Sequence, residues 1–457
     1  MKVSLRHIEQ YLDITLPSLE ELVEKINAQL GGVEKVIDLA TQYKDATIVR
    51  VVSSVKHADA DKLSVCMVDD GGVRKDIERD KDGLVQVVCG APNVHADMWA
   101  IWLPPASTVP ASYGTKEPFV LDARKIRGVV SKGMLAAADE LGIGTDHSGI
   151  IELHDSDLTD SSTRALKAGQ SFAAVFGLDD TIIDIENKMF THRPDLFGQL
   201  GVAREVAGIS HTAFASPAWY LTPPAAKSAS KAMDLTVHNT ASEAVPRYMA
   251  VVMKDITVQP SPMWLQCELI RMGGKPINNV VDVTNLIMLI TAQPTHAYDY
   301  DTLESHTIGT RFARKGESVK LINGKTYELI ESDIVIVDGA RPIGLAGIMG
   351  GNDTEVTKNT TTIVLEVASF DMYALRRSSM RHGLFTDALT RFSKGQSPRQ
   401  NPSVIQRLMH YIEEVAGGTQ ASEVFDMSKG LPAQPQLDVR TDFINDRLGL
   451  TLTTKQI

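Results

Sequence analysis

Several features that define other protein classes are scarce or absent in this 457-residue chain. Its three cysteines, Cys66, Cys89 and Cys267, are far apart and odd in number, so they form neither a disulfide framework nor a paired metal site. No apolar run approaches the roughly 20 residues that span a bilayer, and the N-terminus lacks the apolar core of a signal peptide. These absences predict a cytoplasmic protein without a membrane partner. No GxxxxGK[ST] string is present, which excludes a P-loop for ATP.

Excess positive charge is also lacking, since the formal net charge is −11 and the pI is about 5.6. Such a chain does not bind nucleic-acid phosphates indiscriminately, so any RNA contact is expected to be confined to a local basic patch. The second of two short helices predicted at the N-terminus has too little basic character to read DNA, and no DNA partner is expected. Hydrophobic residues at 43% and charged residues at 23% predict folded globular domains, more than one at this length.

The first part of the chain predicts a helix pair followed by short strands. Ser4 is expected to cap the first helix, and Ser18 with Glu21 to form a capping box that begins the second. The charged segment 70–83 is expected to be an exposed hairpin loop between strands. Four β-rich runs, the pattern of a small all-β barrel, lie at 46–55, 62–69, 84–89 and 98–103.

The rest of the chain has a mixed α/β pattern. Residues 181–186 are predicted to form a strand and 199–209 a helix, whereas the Ala-, Pro- and Ser-rich stretch 217–231 is typical of a linker. A Pro-containing stretch at 430–436 precedes a segment expected to open a helix at 451–456. Because that helix is cut short, we interpret the chain as a fragment of a longer protein.

Four strings in the β-rich part carry a family resemblance: HADADKL at 57–63, VCGAPNV at 88–94, ARKIRGV at 123–129 and SKGML at 131–135. In this order they resemble the tRNA-binding domain shared by methionyl synthetase extensions, free-standing tRNA-binding proteins and phenylalanyl-tRNA synthetase β subunits. Oligonucleotide-binding barrels have a groove in which basic side chains follow phosphates. An ordinary solvated face has the same composition, so that alternative stays open. The predicted tRNA-binding residues are Arg124, Lys125, Arg127 and Lys132.

A second series of strings narrows the resemblance to one subunit type. HRPD at 192–195 and GVAREVA at 201–207 are similar to the segment after the tRNA-binding domain in bacterial-type phenylalanyl-tRNA synthetase β subunits. The chain as a whole resembles the N-terminal part of that subunit. The strings similar to its editing domain are NNVVDVTN at 278–285, QPTHAYD at 293–299, GIMGG at 347–351, LE at 365–366 and RHGLFTDA at 381–388.

The resemblance implies a multi-domain α+β fold. An OB-fold β-barrel would be inserted into a small α+β domain, followed by a mixed α/β editing domain and the start of a small, winged-helix-like helical domain. The implied parts are an N-terminal helical or α+β part at 1–40, the barrel at 41–152, the completion of the α+β domain at 153–210, the editing domain at 211–425 and the truncated helical domain at 430–457.

The resemblance also implies an editing reaction. An apolar site for phenylalanine rejects tyrosine, which only adds a hydroxyl, by about a hundredfold, so a second site must hydrolyse Tyr-tRNA(Phe). Glu366 is implied as the acceptor of the tyrosine phenol, and Ala388 as the residue that sets the depth of the pocket. The implied catalytic residues are His296, Thr386 and Glu366. The implied substrate-binding residues are Thr284, Asn285, Gly347, Glu366 and Ala388.

Alternatives remain open at this site. His296 is the obvious base, yet a histidine beside a turn is often only a structural hydrogen-bonding group, and a water positioned by the substrate is the other account. The chain departs from the family pattern at three positions, where His192 replaces a usual Asn, Leu389 a usual Ser and Ser393 a usual Glu. Leu389, next to the implied pocket residue Ala388, and Ser393 bear on whether editing is retained. A non-catalytic tRNA-docking and assembly module with a degenerate editing site is therefore a second interpretation, and a free-standing trans-editing hydrolase a third.

Partners and cofactors are likewise implied by the resemblance. The partners are tRNA(Phe) and an α subunit, in an (αβ)₂ heterotetramer whose synthetic site is on the α subunit. ATP and Mg²⁺ would serve the complete enzyme. No cofactor and no metal is expected within this fragment, because the metal carboxylates of the family's β chain would fall beyond Ile457.

Overall fold

The computed structural model describes residues 1–13, 16–159, 165–222, 233–428, 430–431, 433 and 436–457. They form a mixed α+β structure with several separate sheets, which confirms the fold class in outline. Within these ranges, no helix has both the length and the apolar character needed to cross a bilayer.

The first half of the chain combines a small sheet, a larger sheet and short helices. A three-stranded antiparallel sheet has the order β1-β10-β2, and a five-stranded antiparallel sheet has the order β5-β4-β3-β6-β9. In chain order the elements are β1 (Lys2–Ser4), α1 (Leu5–Glu9), α2 (Leu19–Gln29), β2 (Val33–Asp38), α3 (Leu39–Tyr43), β3 (Thr47–His57), β4 (Ala60–Asp69), β5 (Val85–Cys89), β6 (Trp99–Leu103), β7 (Arg124–Ile126), β8 (Val129–Ser131), β9 (Met134–Leu135), α4 (Ala138–Leu141), α5 (Phe172–Phe176), β10 (Thr181–Ile185), α6 (Gln199–Ile209) and α7 (Ala218–Leu221).

The three-stranded sheet brings together segments far apart in sequence. Strand β10 pairs with both β1 and β2, so the chain returns to this sheet after the whole β-rich part. The predicted serine caps are confirmed at α1 and α2, because the Ser4 hydroxyl accepts from the amide of His7 and the Ser18 hydroxyl accepts from that of Glu21. The reciprocal bond of the predicted capping box, from the Ser18 amide to the Glu21 carboxylate, is not present among the described hydrogen bonds. The Glu21 carboxylate pairs with Lys25. The predicted strand at 181–186 and helix at 199–209 are also confirmed.

The four β-rich runs are confirmed as β3 to β6, but the closed barrel is not present among the described strands. Strands β5 and β9 remain the two ends of the five-stranded sheet. The chain between β6 and β9 forms a separate β7-β8 hairpin. That hairpin is linked to β5 by isolated hydrogen bonds, such as the Lys132 amide to the carbonyl of Gln86 at 2.9 Å, and a continuous ladder does not form. The turn at Gly133, whose φ is +90°, separates β8 from β9.

The segment 70–83 is less exposed to solvent than its many charged residues predict. Asp70 at its start is fully buried, although most of the following side chains are exposed or half-buried. The guanidinium of Arg79 donates to both Asp70 carboxylate oxygens, at 2.6 and 2.9 Å. A buried charge needs such a partner. The loop is therefore tied back to the sheet at its base, and the prediction of an exposed loop is wrong for Asp70.

The second half of the chain contains two packed five-stranded sheets. The first has the order β13-β20-β12-β21, with β22 also paired to β12, and the second has the order β11-β14-β17-β18-β19. The elements are β11 (Thr236–Asn239), β12 (Arg247–Lys254), α8 (Met263–Arg271), α9 (Asn279–Thr291), β13 (Thr295–Asp299), β14 (Thr307–Phe312), β15 (Ser318–Lys320), β16 (Thr326–Glu328), β17 (Ile334–Asp338), β18 (Arg341–Leu345), β19 (Met349–Gly350), β20 (Thr362–Ser369), α10 (Met372–His382), α11 (Asp387–Phe392), α12 (Asn401–Ala416), β21 (Thr419–Gln420), β22 (Phe425–Ser428) and α13 (Thr441–Leu448).

The central strand β20 is buried on both faces. Its side chains point alternately to two different hydrophobic clusters. Leu365 and Val367 pack with residues of α8, α9 and α12. Val364 and Ala368, on the opposite face, pack with residues of the second sheet. Because side chains alternate along a strand, Glu366 points to the same side as Val364 and Ala368. The fold thus places this carboxylate between the two sheets.

Two predictions near the linkers are corrected. Residues 218–221 form helix α7, whose Tyr220 hydroxyl donates to Gln400 at 2.9 Å, so this end of the predicted linker is packed. Residues 223–231 of that linker, and several residues of 430–436, lie outside the described residues. The helix near the C-terminus is α13, which ends at Gly449 with φ +67°, whereas 451–456 contains only a turn.

Candidate functional site

Glu366 is an almost fully buried carboxylate, 6% exposed. It is paired across the sheet with His296 on β13 and with Ala250 on β12. The hydroxyls of Tyr298 and Tyr248 donate to its Oε2 atom, at 2.6 and 3.4 Å. Burial raises the pKa of Glu366 to about 7, against the opposing effect of both hydrogen bonds. Near neutral pH the side chain is therefore poised between its charged and neutral forms.

His296 lies directly beside Glu366 on the edge strand of the same sheet. Its ring meets that of Tyr298 edge-on, with the ring centroids 4.5 Å apart. Burial lowers the pKa of His296 to about 4, because the charged imidazolium is disfavoured away from water. The imidazole is thus neutral at physiological pH, which is the form able to accept a proton.

A glycine that the sequence analysis did not single out borders His296. A Cβ atom on Gly350 would lie 2.7 Å from the Nε2 atom of His296, so only glycine allows this approach of β19. The predicted pocket residue Gly347 is in a different place. Its φ is +64°, and a Cβ there would lie within about 3 Å of Leu375, Phe370 and Phe392 in the core. Gly347 is required for the packing of the turn, and Gly350 for the close approach of β19 to His296.

Thr386 connects the second sheet to helix α11. Its hydroxyl donates to the carbonyl of Ile348 at 2.9 Å and accepts from the amide of Leu389 at 3.1 Å, which makes it the N-cap of the helix. Ile348 is two residues before Gly350 in the chain. Ala388 is half-buried in the first turn of the same helix. The structure therefore places His296 beside both Glu366 and Gly350, and it places Thr386 against Ile348, the residue before β19.

Thr284 and Asn285 are adjacent on α9 but differ in their surroundings. Thr284 is buried, its hydroxyl donates to Val281 at 2.7 Å, and its carbonyl accepts from Thr295 on the His296 strand at 3.4 Å. Asn285 lines a cleft of about 560 Å³ between α9 and α11. The lining of that cleft includes Met288 from α9, Asp387, Thr390 and Arg391 from α11, and Met1, Lys2 and Asp184 from the three-stranded sheet and its start. Thr284 thus supports the His296 strand from behind, whereas Asn285 opens towards α11.

The three departures from the family pattern lie in different environments. Leu389 is buried in the apolar core beneath α11, so its extra volume fills the interior. Ser393 ends the same helix, and its hydroxyl donates to the carbonyl of Thr390 at 3.1 Å. His192 is exposed. None of these three side chains displaces Thr386 from its cap or Glu366 from its strand.

The predicted basic cluster lies on the β7-β8 hairpin and beside it. Arg124, Lys125 and Arg127 are exposed. Lys132 differs, because its side chain is only 14% exposed and its ammonium contacts a Glu78 carboxylate oxygen at 3.1 Å. It also donates to the Glu78 carbonyl at 2.7 Å. Three of the four predicted cations are therefore available to an anionic ligand, and the fourth is already paired.

His57, in the first of the resemblance strings, anchors this hairpin. Its Nδ1 atom accepts from the amide of Asp59 at 3.0 Å, and its Nε2 atom lies 3.3 Å from the carbonyl of Ile126 on β7. The string therefore joins the β3-β4 turn to the basic strand. No cluster of three or more His, Cys, Asp or Glu side chains suited to a metal ion is found in the described parts of the chain.

Two family models match the chain. The model described as a putative tRNA binding domain matches residues 47–158, which include the five-stranded sheet and the basic hairpin. The model described as a B3/4 domain matches residues 244–417, which include Glu366, His296 and Thr386. The two matches thus fall on the two regions in which the structure presents the basic cluster and the buried carboxylate.

Curated relatives extend the match over the whole chain. The phenylalanine–tRNA ligase β subunit of Moorella thermoacetica is 37% identical over 99% of this chain and 53% of the relative. That of Symbiobacterium thermophilum is 34% identical over 100% of this chain and 48% of the relative. Among solved structures, an N-terminal fragment of the phenylalanyl-tRNA synthetase β-subunit from Pyrococcus horikoshii is 15% identical, with a TM-score of 0.27 over 61% of this chain and 75% of that one. That superposition is too poor to compare folds. The chain spans about half the length of the curated relatives it matches, and over nearly its whole length it is similar in sequence to phenylalanine–tRNA ligase β subunits.

Proposed function

We propose that the chain binds tRNA(Phe) and hydrolyses mischarged Tyr-tRNA(Phe), as part of the β subunit of a phenylalanine–tRNA ligase. The observation that carries the proposal is the buried carboxylate of Glu366 directly across the sheet from the neutral imidazole of His296. A site that hydrogen-bonds a substrate hydroxyl rejects the analogue without it, because its own buried polar group is then left unpaired. Such a site separates tyrosine from phenylalanine far better than an apolar slot does.

Recognition is assigned to the second oxygen of Glu366. Among the described residues, both tyrosine hydroxyls donate to Oε2, which leaves Oε1 to accept from the phenol of the substrate. The two hydrogen bonds fix the orientation of the carboxylate before the substrate arrives. Ala388, half-buried in the first turn of α11, would limit the depth available to the aromatic ring.

Hydrolysis of the ester requires an oriented water and stabilisation of the developing oxyanion. His296, neutral at physiological pH, is the candidate to take the proton of that water, and the other account is a water held by the substrate itself. Thr386 uses its hydroxyl to bond Ile348 and to cap α11, so its role is to hold the two segments of the site together. Gly350 lets the backbone of β19 approach the His296 ring closely, which fixes the position of the imidazole.

The proposal extends to the organisation of the chain. The parts would be an α+β domain formed by 1–40 and 153–210, an OB-fold tRNA-binding insertion at 41–152, an editing domain at 211–425 and the start of a winged-helix-like domain at 430–457. Pairing of β10 with both β1 and β2 supports the insertion. In the complete cytoplasmic enzyme, an (αβ)₂ assembly would use ATP and Mg²⁺ to attach phenylalanine to tRNA(Phe) at a site on the α subunit.

The test is a deacylation assay of the chain with Tyr-tRNA(Phe) and Phe-tRNA(Phe) as matched substrates. Rapid hydrolysis of the tyrosyl ester, with the phenylalanyl ester nearly stable, is the expected result. Equal rates for both esters, or rates no faster than in buffer, would contradict the proposal.

A second candidate function is a non-catalytic tRNA-docking and assembly module. One observation favours it, since the polar groups of the site are engaged internally: Glu366 accepts from two tyrosines, and the Thr386 hydroxyl both donates and accepts. In that case the chain binds tRNA normally and leaves Tyr-tRNA(Phe) intact. The same assay, combined with a tRNA-binding measurement, separates the two functions.

Discrimination between the two esters is expected to increase with pH. The pKa of Glu366 is about 7, and a carboxylate is a stronger acceptor for a phenol than its protonated form is. The ratio of kcat/KM for Tyr-tRNA(Phe) to that for Phe-tRNA(Phe) should therefore rise between pH 6 and pH 8, measured in one buffer series. His296, with a pKa of about 4, does not titrate in this range. Glu366→Gln should remove the pH dependence of the ratio, and a slope that persists in this variant would assign it to another group.

Binding of tRNA is expected to depend on the hairpin cations. Reversing Arg124 and Arg127 to Glu should weaken tRNA binding at least about tenfold and lower the salt dependence of log K by about 2, because two phosphate contacts are lost. The loss should be similar for tRNAs of different sequence. Lys132→Gln is the internal comparison, and a smaller effect is expected because Lys132 is paired with Glu78. Filter-binding titrations at several salt concentrations measure both quantities, and a loss confined to one tRNA would show base recognition instead.

A further inference from the structure

Helix α10 has an exposed face that the proposed editing chemistry does not use. Four of its side chains recur at helical spacing, Tyr373, Arg376, Arg377 and Met380, and all are exposed. Residues at i, i+3, i+4 and i+7 share one face of a helix. Phe385 follows just beyond the helix end at Gly383. The exposed fractions of Tyr373, Met380 and Phe385 are 56%, 71% and 73%. We call these five residues the α10 stripe.

The opposite face of α10 is committed to the interior, so the stripe is not a misplaced core. Ala374, Leu375, Ser378 and Ser379 are buried. Asp333 next to β17 is fully buried and accepts from three side chains of this helix, those of Ser378, Arg381 and His382. The helix is thereby held in one orientation, and the stripe faces outward on a rigid support.

The stripe carries positive charge that no described acidic residue neutralises. Neither Arg376 nor Arg377 makes an ion pair with a described residue. Lys394 lies close to Arg376. The pKa of the Lys394 ammonium is lowered first by burial and then by the positive charge of Arg376. The chain as a whole has a net charge of −11, so this positive charge is local. Unpaired guanidinium groups side by side with an exposed aromatic ring are complementary to a nucleic-acid strand, in which phosphates alternate with stacking bases.

The position of the stripe connects it to the candidate site. Phe385 immediately precedes Thr386, the N-cap of α11. The Thr386 hydroxyl donates to the carbonyl of Ile348, and two residues after Ile348 is Gly350, which lies beside His296. From Tyr373 to Met380 the stripe extends about 10 Å along the helix axis, at about 1.5 Å per residue. It is therefore long enough for more than one nucleotide, and its last residue, Phe385, precedes the Thr386 that contacts the segment leading to Gly350.

We propose that the α10 stripe is a platform for the single-stranded 3′ end of the aminoacylated tRNA. Phe385 stacks on the base nearest the ester, Arg376 and Arg377 contact the phosphates that precede it, and Tyr373 stacks on a more distant base. Met380 provides apolar contact between them. The platform rests on the proposed editing function and adds to it the residues that deliver the ester to Glu366 and His296. A protein partner on the same face is the competing occupant.

Two substrates distinguish binding of the tRNA 3′ end from hydrolysis of the ester. One is Tyr-tRNA(Phe), and the other is tyrosyl-adenosine, which has the same ester but no phosphate and only one base. Arg376→Gln/Arg377→Gln should raise KM for Tyr-tRNA(Phe) about tenfold with kcat retained, lower the salt dependence of log(kcat/KM) by about 1.4, and leave hydrolysis of tyrosyl-adenosine unchanged. Phe385→Ala should raise KM about tenfold for both substrates, because both contain the terminal base.

The control for charge is Lys35→Gln/Lys44→Gln, which removes two exposed cations from the first half of the chain. It should leave both KM values unchanged, and thermal unfolding should show that all variants fold. Unchanged KM for Tyr-tRNA(Phe) in the arginine variant would overturn the platform while the editing function stands. Loss of binding to a protein subunit, with tRNA kinetics intact, would assign the stripe to that partner and overturn the platform as well. If the unaltered chain hydrolyses neither substrate, the proposed function fails first, and the platform fails with it.

Discussion

Replacing Glu366 with alanine is expected to lower kcat/KM for hydrolysis of Tyr-tRNA(Phe) on the order of 100-fold and to leave the slow hydrolysis of Phe-tRNA(Phe) nearly unchanged. The reason is that the tyrosyl ester loses the acceptor for its phenol, whereas the phenylalanyl ester never used it. Competing kinetics with the two esters in one reaction measure the change in discrimination directly. An unchanged ratio would remove Glu366 from the recognition of tyrosine.

The alanine variant also affects stability, and the two effects must be separated. Removing the carboxylate leaves the buried hydroxyls of Tyr298 and Tyr248 without their acceptor, at a cost of about 1–3 kcal/mol. Glu366→Gln keeps an acceptor oxygen for them and is the milder variant. Ser369→Ala is the matched control, because Ser369 is buried on the same strand but on the opposite face, where its hydroxyl donates to Asn401 at 3.3 Å. It should lose some stability and retain full discrimination.

Local features of the fold were predictable because they depend on neighbouring residues. Serine at a helix N-terminus satisfies an amide three residues later, and the Ser4 and Ser18 caps follow from that rule alone. Four β-rich runs separated by turn residues likewise predict strands β3 to β6 to within a few residues. Whether those strands close into a barrel cannot be predicted from neighbouring residues, because closure depends on hydrogen bonds between segments separated by tens of residues.

The candidate site was predictable only in part. Residue types and family strings pointed to Glu366 and His296, and the structure pairs the two across adjacent strands. The sequence does not predict that Tyr298 and Tyr248 donate to Glu366, although Tyr298 lies within the family string at 293–299, because that contact joins three separate strands. The role of Gly350 is not predictable either, because a glycine's role depends on what approaches it from elsewhere in the fold. The pairing of Lys132 is likewise hidden in the sequence, because its partner, Glu78, lies in a distant loop.

The pairing of Asp333 with α10 is a further contact that no local pattern reveals, and its loss is expected to have the largest effect on stability. Asp333 is fully buried and accepts from Arg381 at 2.7 Å, from His382 at 3.1 Å, from the Ser378 hydroxyl and from the amide of Ile330 at 3.0 Å. Asp333→Ala leaves these donors without an acceptor. We expect the free energy of unfolding to fall by about 3 kcal/mol, as when one partner of a buried ion pair is removed.

Urea titration measures the loss, which should appear as a lower midpoint with an unchanged slope. The pH dependence gives a second check. Burial acts to raise the pKa of Asp333, but the hydrogen bonds from Ser378 and its neighbours hold it below the usual value. A depressed carboxylate pKa contributes stability above the unfolded-state value of about 3.9, and that contribution is lost as the pH falls through the folded-state value. The difference between the unaltered chain and Asp333→Ala should therefore be full near pH 7 and shrink as the pH falls below about 4.

Asp353→Ala is the matched control, because the Asp353 side chain is 64% exposed and its contact with Arg341 is long, at 4.0 Å. Exposed pairs of this kind contribute little, so its midpoint should hardly move. A loss in Asp333→Ala no larger than in Asp353→Ala would mean that the donors on α10 find other partners. If the expected loss is observed, the same variant links stability to function. Helix α10 leads directly to Thr386, so loosening its anchor should raise KM for Tyr-tRNA(Phe) even under conditions in which the chain remains folded.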